Sequence, residues 1–72
     1  MTGTLRVFVN ERPVEVPPGS TVLEAVAAFS SDAADSVRRG TAYVTDGVGR
    51  STDVSQEVAR GDILRVVRTV QR

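Results

Sequence analysis

The sequence predicts an α+β domain in which a mixed β-sheet is covered on one face by a single helix. Residues 21–29 combine a helix-capping signal with an apolar stripe of helical spacing. Residues 5–9 alternate apolar and polar side chains, and residues 63–70 form the most apolar run in the chain. A helix between the first and last strands can cross over and let them pair in parallel. The predicted order is β-β-α-β-β-β.

The predicted helix begins at a capping box. The hydroxyl of Thr21 can accept a hydrogen bond from the backbone N–H of Glu24, whose carboxylate can reach back to the N–H of Thr21. The helix is expected to end near residue 29 or 31. The residues that form its apolar stripe are Val22, Leu23, Val26, Ala27 and Phe29.

A β-hairpin is predicted before the helix. Its strands lie at residues 5–9 and 14–16, the turn residues lie at 10–13, and Pro17-Pro18-Gly19 stops the second strand. After the helix we expect a loop with a helical turn near residues 36–39, ended by Gly40.

Three further strands are predicted in the second half. Residues 41–45 form the third strand, Asp46-Gly47 a hairpin turn and residues 48–52 a short fourth strand. In the loop at residues 53–59, Val54 and Val58 are expected to enter the core. A tight turn at residues 60–62 precedes the last strand, at residues 63–70.

Composition limits the function. The 72 residues suffice for one domain, residues 1–72, and contain no cysteine, histidine or lysine. Disulfides, iron–sulfur clusters, imidazole bases and Schiff-base amines are therefore excluded. Nine arginines balance nine carboxylates, which argues against DNA binding and disfavours RNA. We expect no enzymatic activity, cofactor or metal site. No membrane span or signal peptide is recognisable, so a cytoplasmic location is expected.

Two acidic pairs and a tripeptide have ordinary structural explanations. Asp32 with Asp35, and Asp46 with Asp53, lack a third ligand or a calcium-loop spacing, so they are interpreted as loop and cap residues. Residues 60–62 spell an adhesion tripeptide, but a turn entering a strand is the better explanation, because such short motifs recur by chance.

One set of residues indicates a binding surface. Apolar residues of the first and last strands (Leu5, Val7, Val9, Leu64 and Val66) are assigned to the helix side. The alternate residues must then converge on the open face of the sheet. An apolar centre with an arginine rim is typical of a protein interface. The predicted protein-binding residues are Arg6, Phe8, Ile63, Arg65 and Val67.

The order and spacing of these elements resemble the ubiquitin-like β-grasp superfamily, most closely its ThiS/MoaD-type sulfur carriers. The matching features are Asn10 after the first strand, Val14-Glu15-Val16, Thr21-Val22-Leu23-Glu24 and the Gly61-Asp62 turn before the last strand. The pattern also resembles TGS domains of RNA-associated proteins. Plant-type ferredoxins share this core but need four cysteines.

The resemblance implies a sheet face that docks an activating or sulfur-transfer enzyme, and a C-terminal diglycine that becomes a thiocarboxylate. In this chain Gln71 and Arg72 stand at the diglycine positions. The leading hypothesis is therefore a non-catalytic ThiS/MoaD-like protein that acts by binding another protein. The alternatives are a sulfur carrier of thiamine or molybdopterin synthesis and a TGS-like domain that contacts RNA or a nucleotide.

Overall fold

The computed structural model describes residues 3–69, and the predicted tail residues Gln71 and Arg72 lie outside them. The elements follow the order β1 (Leu5–Val9), β2 (Arg12–Val16), α1 (Val22–Phe29), α2 (Ser31–Arg39), β3 (Ala42–Asp46) and β4 (Ile63–Arg68). The strands form one sheet in the order β2-β1-β4-β3. The central pair β1 and β4 is parallel, and the two outer pairs are antiparallel. The expectation of an α+β domain with a mixed sheet is confirmed.

The prediction of a single helix is wrong, because residues 31–39 form the second helix α2 where a loop was expected. Ser30 is both the C-cap of α1 and the N-cap of α2. As the N-cap of α2, its hydroxyl accepts a hydrogen bond from the backbone N–H of Ala33. Arg38 and Arg39 lie in the last turn, where cations favour the helix dipole, and Gly40 ends the helix at a φ of 83°. Local capping and charge therefore support a helix whose apolar side is formed by small residues, Ala33 and Ala34, and by Val37.

The prediction of a strand at residues 48–52 is also wrong. Beside β3 this segment forms a single isolated bridge, between Thr45 and Ser51. The Oδ1 atom of Asp46 accepts hydrogen bonds from the backbone N–H groups of Val48 and Arg50, both at 3.0 Å. The turn thus uses residues 46–50, and the left-handed position is Gly49 rather than Gly47. Two backbone hydrogen bonds join this segment to β3, from Asp46 N–H to the Arg50 carbonyl and from Thr52 N–H to the Val44 carbonyl, whereas the N–H of Arg50 donates to the Asp46 side chain.

The β1–β2 turn is tighter than expected. Asn10 and Glu11 both have positive φ, 53° and 70°, so β2 already begins at Arg12. The N–H of Phe8 donates to Asp62 on the β4 side, so the Phe8–Pro13 pair is not hydrogen-bonded. Pro13 therefore removes no donor from the β1–β2 ladder.

The core lies between the sheet and both helices. Val22, Ala25 and Val26 of α1 and Ala34 of α2 are buried, while Leu23, Ala27 and Phe29 pack at its margin. As predicted, the loop before β4 contributes to the core through Val58, with Val54 half-buried beside it. The remaining core residues come from the strands: Val7, Val9, Val16, Val44 and Leu64.

Candidate protein-binding face

Both helices lie on the same side of the sheet, so the opposite side is free of secondary structure within residues 3–69. We call this opposite side the open face. All five residues predicted to bind protein lie on it: Arg6 and Phe8 on β1, and Ile63, Arg65 and Val67 on β4. None of them belongs to the core cluster or packs against it. The parallel pairing of β1 with β4 brings the two strands side by side.

Phe8 and Ile63 form the apolar centre at one end of the open face. They are direct partners in the parallel register, so their side chains leave the sheet on the same side. Phe8 is half-buried and Ile63 is 48% exposed. An ideal Cβ at Gly47 would lie 3.3 Å from the Cγ2 atom of Ile63, so the β3 turn approaches this side chain closely.

A second apolar pair lies further along β4. Val67 is the register partner of Tyr43 on β3, and Tyr43 is 46% exposed. Tyr43 was not among the predicted binding residues, although the alternation of apolar and polar side chains in β3 indicates its position. Ala42 and Val44 are buried against the helices, so Tyr43 between them must point to the open face. An exposed tyrosine suits an interface because it offers a large rigid surface and a hydroxyl.

Ion pairs surround these apolar groups. An Nη2 atom of Arg6 lies 2.9 Å from Glu15 Oε2, and the hydroxyl of Thr4 donates to Glu15 Oε1 at 2.7 Å. The hydrogen bond from Thr4 and the charge and hydrogen bond of Arg6 lower the pKa of Glu15. Arg65 reaches Glu11 at 3.5 Å. All four charged side chains are about half exposed or more, so these pairs contribute little to stability.

A shallow basin next to Phe8 carries Arg60 at its rim. Thr4, Arg6, Phe8 and Glu15 line it together with Arg60 and Gly61. Within the described residues, no carboxylate lies within ion-pair distance of Arg60. The turn at residues 59–62 holds this arginine at the rim, since Gly61 has a φ of 85° and the N–H of Asp62 donates to the carbonyl of Ala59.

The amino end of α1 is occupied by the chain itself. The N–H groups of Val22 and Leu23 donate to the carbonyls of Gln56 and Val54, at 2.8 and 3.0 Å. The predicted capping box pairs the next groups: the N–H of Glu24 donates to Thr21 Oγ1, and the N–H of Thr21 donates to Glu24 Oε1. These backbone donors are therefore committed, and none of them is free to bind an anion.

Three of the four aspartates in the candidate acidic pairs form hydrogen bonds or an ion pair within the fold. Asp46 accepts hydrogen bonds from the backbone N–H groups of Val48 and Arg50 in the turn after β3. These hydrogen bonds lower the pKa of Asp46, the one from Arg50 most strongly. Asp53 accepts hydrogen bonds from the N–H and hydroxyl of Ser55, which lower its pKa in the same way. Asp35 pairs with Arg38 on α2. In the described part of the chain, no three Asp or Glu side chains are grouped to hold a metal ion.

Comparison with known proteins leaves the family open. No protein-family model matches the chain, and no curated protein matches it. Within residues 3–69, neither helix has the length and apolar character that crossing a membrane requires.

Proposed function

We propose that this protein is a non-catalytic β-grasp protein of the ThiS/MoaD-like type that binds another protein through the open face. The parallel central pair β1–β4, the antiparallel outer strands and the helix crossover support the β-grasp assignment. Within residues 3–69 the chain has four strands and two helices, where the sequence predicted five strands and one helix.

The observation that carries the functional proposal is the Phe8–Ile63 pair. Two large apolar side chains are adjacent in register, outside the core, on a face that no helix covers within the described residues. Exposing both to water is unfavourable, and a partner that removes them from water recovers that free energy. The second pair, Val67 and Tyr43, enlarges the apolar area of the open face. Arg6 and Arg65 on the same face can add polar contacts to a partner.

The partner implied by the ThiS/MoaD resemblance is an activating or sulfur-transfer enzyme. Binding can be measured by isothermal titration calorimetry with the purified activating enzyme of such a system from the same organism. We expect Ile63→Asp to reduce its affinity by roughly a hundredfold, because a carboxylate placed in a desolvated contact loses its hydration without gaining a counter-charge. Ile63 is the better position for this test, since half-buried Phe8 also contributes to stability.

The matched control is Ala28→Asp, which places the same charge on the exposed side of α1. Both variants should unfold within about 1 kcal/mol of the parent. Equal affinities of Ile63→Asp and Ala28→Asp would refute binding through the open face. If the enzyme binds neither the parent nor the variants, the choice of enzyme class is wrong.

A further inference from the structure

The last strand extends beyond its parallel neighbour. β1 pairs with β4 at Phe8–Ile63 and Val9–Leu64, and the chain then reverses at Asn10. On its other side, β4 continues to pair with β3 as far as Arg68. The second half of β4 therefore has a strand on one side and, within residues 3–69, none on the other.

Backbone groups of even-numbered residues point toward this vacant side. The carbonyl of Leu64 accepts from the N–H of Asn10 at 2.9 Å, and the N–H of Val66 donates to Asn10 Oδ1 at 3.0 Å. The N–H of Thr69 donates to the carbonyl of Thr41, so the backbone groups of odd-numbered residues point toward the β3 side. By this alternation the carbonyl of Val66 and the N–H of Arg68 face the vacant side. Neither has a hydrogen-bond partner among residues 3–69.

A groove on the helix side runs next to these groups. Its apolar lining comes from Phe29, Ala33, Ala42 and Val66, and Asp32 and Arg68 add one charge of each sign. Arg68 forms no ion pair with the described residues. A carboxylate beside Arg68 would thus find a free partner.

We propose that this edge of β4, Val66–Arg68, binds an extended segment of another polypeptide as an added strand. A peptide carbonyl accepts from the N–H of Arg68, and a peptide N–H donates to the carbonyl of Val66. One apolar side chain of the segment enters the groove, and an acidic one pairs with Arg68. So few contacts give weak, transient binding, with a Kd on the order of 0.1–1 mM. This edge is separate from the open face, and the proposal does not rest on binding there.

The free protein already offers a test by amide hydrogen exchange. The N–H of Arg68 should exchange rapidly, whereas that of Val67, directed at Tyr43, should be protected. The binding probe is a capped hexapeptide of alternating valine and threonine with one terminal aspartate, titrated into ¹⁵N-labelled protein. We expect the largest shifts at Val66 to Arg68 and slower exchange of the Arg68 amide.

Two variants at position 68 separate the contribution of the backbone N–H to peptide binding from that of the arginine side chain. Arg68→Pro removes the N–H without removing a bond to β3 and should weaken binding about tenfold or more. Arg68→Ala keeps the N–H and should weaken it only a fewfold. A peptide N-methylated on the amides that face β4 should not bind, while methylation of the opposite amides should be tolerated.

Any one of the following results would overturn the proposal: an Arg68 amide protected in the free protein, equal affinities for Arg68→Pro and Arg68→Ala, or peptide-induced shifts at Phe8 and Ile63 instead. The absence of any shift at millimolar peptide would do the same. If Arg68→Pro fails to fold, the two methylated peptides still decide the question on the parent protein.

Discussion

The side chain of Asn10 accepts a hydrogen bond from the backbone N–H of Val66, 56 residues away in the chain, at 3.0 Å. Asn10 also opens the β1–β2 turn with a φ of 53°, a conformation that asparagine tolerates better than most residues. Its side chain therefore continues the parallel β1–β4 ladder by one bond at the point where the backbone of β1 turns away. Asn10 thus contributes both to the hairpin turn and to the pairing of β1 with β4.

Replacing Asn10 by glycine separates these two roles, because glycine keeps the positive φ and loses the acceptor. We expect Asn10→Gly to lower the free energy of unfolding by about 1 kcal/mol and to accelerate amide exchange at Val66. Asn10→Asp is the control, since it keeps an acceptor oxygen. Unchanged exchange at Val66 in Asn10→Gly would show that the side-chain bond is unimportant in solution.

Removal of the α1 cap should destabilise the protein. Thr21→Ala leaves the N–H of Glu24 without its hydroxyl acceptor, and we expect a loss of about 1 kcal/mol in urea unfolding. Thr21→Ser keeps the hydroxyl and should lie close to the parent. Equal denaturation midpoints for the alanine and serine variants would contradict the capping argument.

The centre of α1 should be more sensitive. Val26 is fully buried, so Val26→Ala deletes buried methyl groups and should cost ~2–3 kcal/mol, partly offset by the better helix propensity of alanine. Val48→Ala makes the same chemical change at a side chain that is 78% exposed and should cost less than about 0.5 kcal/mol. Similar losses for the two variants would mean that Val26 is not part of the core.

Acid should weaken the β3 turn through Asp46. Its pKa is lowered in the folded protein, so the carboxylate contributes stability above its ordinary pKa of 3.8 and loses it as the pH falls through the lower folded value. Asp46→Asn keeps an acceptor oxygen but does not titrate. The stability difference between parent and Asp46→Asn should therefore shrink between about pH 5 and about pH 2. A difference that stays constant over this range, measured by urea unfolding, would refute the linkage.

The open face was largely predictable because strand alternation is a local property. Once Val7 and Val9 are assigned to the core, Phe8 must point the other way, and the same holds for Ile63 beside Leu64. Tyr43 was missed although its alternation was equally readable.

By itself the sequence determined the elements whose signals lie within a few residues: the capping box of α1, the alternation of β1 and β4, and the turn at Gly61. Tertiary structure decided what depends on distant partners. The bond between Asn10 and Val66 depends on the crossover that places β1 beside β4. The carbonyls of Val54 and Gln56 accept hydrogen bonds from the amino end of α1 because the loop before β4 folds back onto that helix. Local patterns choose helix or strand, whereas buried backbone groups find their partners only in the assembled fold.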